Sequence, residues 1–274
     1  MTDITKAVVL ARGLGTRMRA RDEMAAPLSG AQAEAAARGT KAMIPFAHGR
    51  PFLDYLLSAL ADAGIAEVCL VIGPEHHDVR ALYGRERPMS RLRLEFAVQQ
   101  EAIGTANAVL AAEPFANGEP FLVMNSDNYY PPDVLSVLRH SRAPALPAFS
   151  RDGLLRDGNI PAERIARFAL LDISDDGVLR RIVEKPDAAT LAALGDARVS
   201  MNVWSFTPAI FDACRSVPMS VRGELELPLA VQYAIDVLGM RVATVPVDAA
   251  VLDLSHQSDI PRVARSLQGI EIRL

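Results

Sequence analysis

Apolar positions along the chain come in two textures. Ile4 to Leu10, Glu67 to Ile72 and Phe121 to Asn125 are apolar runs without alternation, the pattern of strands covered on both faces in a parallel sheet. Between the first two, Pro51 stands at a helical first turn. Phe52, Tyr55, Leu56, Ala59 and Leu60 then recur at helical spacing and Gly64 closes the segment. Strand, helix and strand in that order predict a right-handed parallel crossover. A further strand fits Leu92 to Val98, with a helix starting near Gly104.

The second half changes texture. Ser150 to Glu163 is rich in Arg, Asp and Gly and is expected to be a long polar loop, the kind that often serves as a lid. Strands are expected at Arg164 to Asp172 and Val178 to Val183, joined by the turn Ser174 to Gly177, then at Val199 to Phe206 and Arg241 to Val247. Helices are expected near Pro208 to Cys214, Leu225 to Leu238 and from Ser258. No repeat or linker interrupts the chain. The expectation is therefore an α/β fold with a Rossmann-like, mostly parallel central sheet flanked by helices. It would form one domain over residues 1–274, elaborated in its second half.

Composition narrows the class. The chain has 274 residues, 50% of them apolar, enough for a large core without disulfide staples. A net charge of −4 argues against a nucleic-acid partner. No apolar stretch has the length of a membrane span, and MTDITK lacks the regions of a signal peptide, so a cytoplasmic protein without a membrane partner is expected. Cys69 and Cys214 lie in separate apolar segments and should be buried and reduced. His76 and His77, adjacent and far from other metal-ligating side chains, read as surface loop.

Candidate chemistry begins where the first strand breaks into KAVVLARGLGTRMR. Gly13 and Gly15 allow a tight turn with amides facing an anion, and Thr16, Arg17 and Arg19 add a hydroxyl and two cations. A dinucleotide fingerprint needs a glycine where Met18 stands, and a Walker loop needs a different spacing. Four further stretches matter. VQQEAIGTANAVL places a side-chain amide before a Gly-Thr helix start, suited to the edge of a base. NSDN puts Asp127 at the carboxyl end of a strand, where open α/β sheets bind ligands. VEKPD leaves a strand with Glu184 and Lys185 side by side. AAVLDLS holds Asp253 in an apolar setting, where a charge needs a partner or a metal.

In this order the pieces resemble the sugar-1-phosphate nucleotidyltransferases, the pyrophosphorylases that make nucleotide sugars. LARGLGTRM is similar to that family's LAGGxGTRL, TKAMIPF to its PKxLLP, GTANA to its GTAxA, and RGELEL to its RGELEI; Asp127 and the Glu184-Lys185-Pro186 triplet match as well. The resemblance implies attack of a sugar phosphate on the α-phosphorus of a nucleoside triphosphate, with pyrophosphate leaving and Mg²⁺ required. It implies nucleotide contacts from Ala11, Gly13, Gly15, Thr16, Gln99, Gly104 and Thr105. It also implies Arg17 and Lys41 on the phosphates and Asp127 and Asp253 as metal ligands. On the acceptor, Lys185 would grip the sugar phosphate, with Ala169, Glu184 and Asn202 around the sugar. Residues 1–130 would then be mainly the nucleotide half and 131–274 mainly the sugar-phosphate half, with self-association left open.

Departures from the family pattern sit mostly toward the acceptor. Arg12 replaces the first glycine, Ala169 stands where glycine is usual, and SMNVWSF aligns only loosely with NxGxY. A non-sugar phosphate acceptor such as phosphocholine or a cyclitol phosphate therefore stays open, as does a non-catalytic regulator. Thr105 favours a purine triphosphate by the same resemblance. The segment from Arg21 to Gly39 leaves the phosphate loop and returns at Lys41; Ser29 and Gln32 form a capping box for a short helix ended by Gly39. With little to bury, this insertion is expected to be a lid over the triphosphate.

Overall fold

The computed structural model describes residues 3–13, 15–20, 27–142, 144–184, 186–187, 189–190 and 194–274. Strand β1 (Lys6–Leu10) lies between β2 (Glu67–Ile72) and β4 (Phe121–Asn125), parallel to both; β3 (Arg93–Val98) pairs beyond β2. Ala7 and Val9 enter the core on one face of the sheet, Val8 and Leu10 that on the other. That two-sided burial is why the run shows no alternation.

On the first face, α3 (Phe52–Asp62) delivers Phe52, Leu53 and Leu56 as its sequence spacing predicts. On the opposite face, α5 (Thr105–Ala111) packs with two helices of the second half; the short α6 (Glu113–Ala116) follows it. Two small helices flank the entrance to the first half: α1 (Thr16–Arg19) and α2 (Gly30–Arg38), while α4 (His77–Ala81) follows β2.

Past β4, the two-residue strand β5 (Asn128–Tyr129) and α7 (Pro132–His140) lead into β6 (Ala145–Phe149). The segment expected to be a polar lid is instead built into the molecule. It forms α8 (Arg151–Arg156) and α9 (Ala162–Ile165), and Leu154, Asn159, Ile160 and Ile165 between and within them are buried. Its polar residues concealed a core stripe. Arg164, expected on a strand, lies in α9; the strands there are β7 (Leu170–Ile173) and β8 (Leu179–Val183), paired as a separate antiparallel hairpin.

Strand β9 (Val203–Phe206) then runs antiparallel between β4 and β6. It is shorter than expected because Asn202 at φ 55° interrupts it, leaving Val199 as an isolated bridge to Phe149 and to Leu170. Helices α10 (Ile210–Ser216) and α11 (Leu227–Asp236) cover this face, and β10 (Ala243–Val247) closes the edge beside β6. The seven-stranded order is β10-β6-β9-β4-β1-β2-β3. Finally β11 (Leu252–Asp253) pairs antiparallel with β5 before α12 (Ile260–Ser266). Cys69 and Cys214 are buried free thiols, and burial pushes both up to about 12. No helix among the described residues is long and apolar enough to cross a membrane.

Candidate active site

The carboxyl ends of β1 and β4 open into a cleft of about 400 Å³. Its lining includes Ala11, Gly13, Gly15, Thr16, Arg17, Lys41, Gln99, Gly104, Thr105 and Asp127, ten of the residues singled out in the sequence. The loop after β1 turns at Gly15, φ 60°, which approaches Gly39 so closely that a Cβ would lie 2.1 Å from the Gly39 carbonyl oxygen. Met18, fully buried, anchors α1 below, and Thr16 and Arg17 stay exposed. A Cβ at Gly13 would touch nothing within 4 Å, so this glycine leaves the backbone uncovered toward the cleft.

The Arg12 side chain is largely buried at the rim of the cleft. Its guanidinium donates to the Gln99 carbonyl oxygen and pairs with Glu75 at 3.3 Å, clasping the ends of β1, β2 and β3. Gln99 is buried, and both amide hydrogens are committed, to the Gly104 carbonyl at 2.9 Å and to Asn107 Oδ1 at 3.0 Å. Its Oε1 is the polar atom it has left to offer, and that atom accepts. Gly104, φ 124°, is held against Leu225, whose carbonyl oxygen would be 2.4 Å from any Cβ there. The Thr105 hydroxyl accepts from the Leu227 N–H at 2.8 Å and caps α11. The side chain that suggested a purine thus accepts a bond within the fold while still lining the cleft.

His76, expected in a surface loop, has a half-buried ring whose Nδ1 accepts from the Gly73 N–H at 3.2 Å; His77 opens α4. The insertion also differs from its expected form. Residues 21–26 lie outside the described residues, but α2 has the expected Ser29–Gln32 capping box and left-handed Gly39, and it is docked. Ala36 is buried, Gln32 Nε2 donates to the Pro45 carbonyl at 3.0 Å, and Arg38 pairs with Asp78 at 3.2 Å. Alanines on one face let the helix sit close to the core, so the described part of the insertion is packed on the molecule in this structure and meets the cleft at Gly39 to Lys41.

The two acidic residues come together through the small sheet. Pairing of Asp253 with Asn128, and the bond from the Leu254 N–H to the Asp127 carbonyl at 2.9 Å, set the far segment beside β5. Asp127 Oδ2 accepts from the Lys41 ammonium at 2.8 Å. Asp253 is buried, accepts from Ser255 Oγ at 2.9 Å and lies 3.5 Å from Arg164 Nη2. Burial and then the charge of Asp127 push the Asp253 carboxyl up to about 6, with Arg164 and Ser255 pulling the other way. Two carboxylates that repel each other and offer hard oxygen donors fit Mg²⁺, which takes one or two carboxylates and draws its other ligands from phosphates and water. Among the described residues no group of three or more His, Cys, Asp or Glu could hold a metal by itself.

The expected acceptor residues do not line this cleft. Ala169 is buried, its carbonyl accepting from the Ser200 N–H at 2.9 Å; Glu184 is exposed just after β8; Asn202 is exposed at the interruption before β9. Lys185 lies outside the described residues. Sequence reasoning missed Tyr130, fully buried, whose hydroxyl donates to the Met201 carbonyl at 2.6 Å and ties the Asn202 turn to β5. It missed Asn159 and Arg164 as well, both in the segment read as a lid. His256 joins the two sides: burial lowers its imidazole pKa, Asp259 opposes this, and the cations Arg164, Arg17 and Lys41 add to the lowering.

Comparison with known proteins identifies the family. The nucleotidyl transferase family model matches residues 6–254. A glucose-1-phosphate thymidylyltransferase of Streptomyces antibioticus is 30% identical over 98% of this chain and 68% of its own length. The UTP–glucose-1-phosphate uridylyltransferase AglF of Haloferax volcanii is 27% identical over 96% of each chain. The UTP-bound UGPase from Acinetobacter baumannii superposes with a TM-score of 0.72 at 17% identity, covering 98% of this chain and 95% of that one. The chain belongs to the nucleotidyl transferase family. Within it, the chain's relatives place it with the sugar-1-phosphate nucleotidyltransferases, and it spans about two thirds of the length of the Streptomyces relative.

Proposed function

We propose that this protein transfers a nucleotidyl group from a pyrimidine nucleoside triphosphate, UTP or dTTP, to a sugar 1-phosphate, releasing pyrophosphate. The observation that carries the reading is one cleft lined by a glycine-rich loop, two cations and Asp127, whose charge is felt by the buried Asp253 carboxyl on the paired strand. The chemistry crowds negative charge at one phosphorus, so catalysis is chiefly positioning and neutralisation. The uncovered backbone at Gly13 and the turn at Gly15 hold the triphosphate, with Arg17 and Lys41 as its counter-charges. Asp127 and Asp253 would hold Mg²⁺, which supplies charge stabilisation at the α-phosphate when bound.

The pyrimidine assignment rests on Gln99 and on the relatives. An amide that can only accept suits a base with a ring N–H on its edge, as uracil, thymine and guanine have, and the two relatives described above, a thymidylyl- and a uridylyltransferase, favour the first two. Cytosine presents no N–H at ring position 3. Glu184, Lys185, Ala169 and Asn202 form the acceptor side, in the half that follows residue 130. A cytoplasmic setting suits such substrates.

Pyrophosphate release over a grid of nucleoside triphosphates and sugar 1-phosphates tests the reading. UTP or dTTP with a hexose 1-phosphate should give Mg²⁺-dependent release. Turnover confined to purine triphosphates would overturn the base assignment, and absence of release across the grid would overturn the activity.

A further inference from the structure

The strand that carries Asp253 has two edges. One faces β5, where the Leu254 N–H reaches the Asp127 carbonyl at 2.9 Å. In an antiparallel pair, neighbouring residues turn their N–H and C=O to opposite edges, so those of Asp253 face outward. There they meet Asn159, which is buried. Its Nδ2 donates to the Asp253 carbonyl at 2.8 Å and its Oδ1 accepts from the Asp253 N–H at 2.8 Å, as one rung of a missing strand would.

The approach is built into the chain. At Gly158 an added Cβ would lie 2.4 Å from the Leu154 carbonyl oxygen and 3.4 Å from that of Val251, so only glycine lets the chain bring Asn159 this close. The carboxylate end of Asp253 is steadied separately. Arg164 lies 3.5 Å from its Oδ2 and is itself held by two 3.0 Å bonds to Asp259. Asp259 in turn accepts from the Ser255 and His256 N–H groups at 3.0 and 2.8 Å.

We propose that Asn159, seated by Gly158 and seconded by Arg164, is a positioning residue that holds Asp253 as a divalent-cation ligand. The proposal rests on the metal reading above. A group that orients a ligand is worth about 10- to 100-fold in metal affinity. A group that merely satisfies buried backbone would change stability and leave the affinity of the folded protein alone. The two roles therefore separate in a binding measurement.

Mn²⁺ binding to the full chain, followed by electron paramagnetic resonance alongside thermal melting, provides the test. Asp253→Asn serves as the reference for a lost ligand. Asn159→Ala should weaken Mn²⁺ binding about 10- to 100-fold well below its melting temperature. Asn159→Asp, which keeps an acceptor for the Asp253 N–H, should fall in between, and Arg164→Lys should lose severalfold. The latter two cover the case in which Asn159→Ala does not fold. In turnover, the Mg²⁺ requirement should rise while KM for the sugar phosphate holds. Weakening by Asp253→Asn but by none of the others would overturn the positioning role. Unchanged binding in Asp253→Asn would overturn the metal reading itself, and the positioning role with it.

Discussion

Around the cleft, Gly15 abuts Gly39 and Gly104 abuts Leu225, backbone against backbone. On the proposed acceptor side, Ala169, Glu184 and Asn202 are brought into place by an isolated bridge at Val199, a separate hairpin and the buried hydroxyl of Tyr130. The nucleotide side is thus shaped by main chain, which tolerates few substitutions. The acceptor side hangs on side chains and short pairings that can change one at a time. A common donor chemistry combined with different acceptors is what such an arrangement permits, and the departures from the family pattern, Arg12 apart, fall on the changeable side.

The two sides can be set against each other by mutation. The largest effect is expected at the carboxylates between them. Asp127→Asn or Asp253→Asn removes one charge without changing shape and should lower kcat by at least about 100-fold, with the melting temperature little changed. Turnover within tenfold of the parent would break the assignment of the pair.

Next comes Gly104→Ala. Its Cβ would enter the Leu225 backbone at φ 124°, a strain of roughly 1–3 kcal/mol. Thermal melting should show that loss, and the KM for nucleoside triphosphate should rise while the KM for sugar phosphate does not. A rise in the second alone would reverse the division of the cleft.

Tyr130→Phe makes the complementary test. It leaves the Met201 carbonyl without its donor at a cost of about 1–3 kcal/mol and frees the Asn202 turn. Here KM for the sugar phosphate should rise and that for the triphosphate should hold. The smallest effect is expected at the thiols. With Cys69 and Cys214 pushed up to about 12 by burial, neither should react with a maleimide at pH 8 until the chain is unfolded. Rapid labelling of the native protein would show one of them to be reachable.

How far the sequence could be read follows the same division. β1, β2, β4 and α3 were legible because burial on both faces or on one helical stripe leaves a periodic mark. The Ser29–Gln32 cap, the Gly39 end and the turn at Gly15 were legible because each depends on a few adjacent residues. β6, α7 and α8 were not: Ala145–Phe149 is short and contains Pro147, and the core stripe of Leu154, Ile160 and Ile165 is diluted by Arg and Asp.

Local pattern and motif order determined the central strands, the phosphate loop and the family resemblance, since each is a property of residues close along the chain. Tertiary structure alone decided that Asp253 stands beside Asp127, that Asn159 braces it, that Thr105 spends its hydroxyl on Leu227, and that Arg12 clasps Gln99 and Glu75. In each of these the partners lie in distant segments with no shared periodicity. Only the packing of β5 against β11 and of one sheet face against another puts their donors and acceptors within reach.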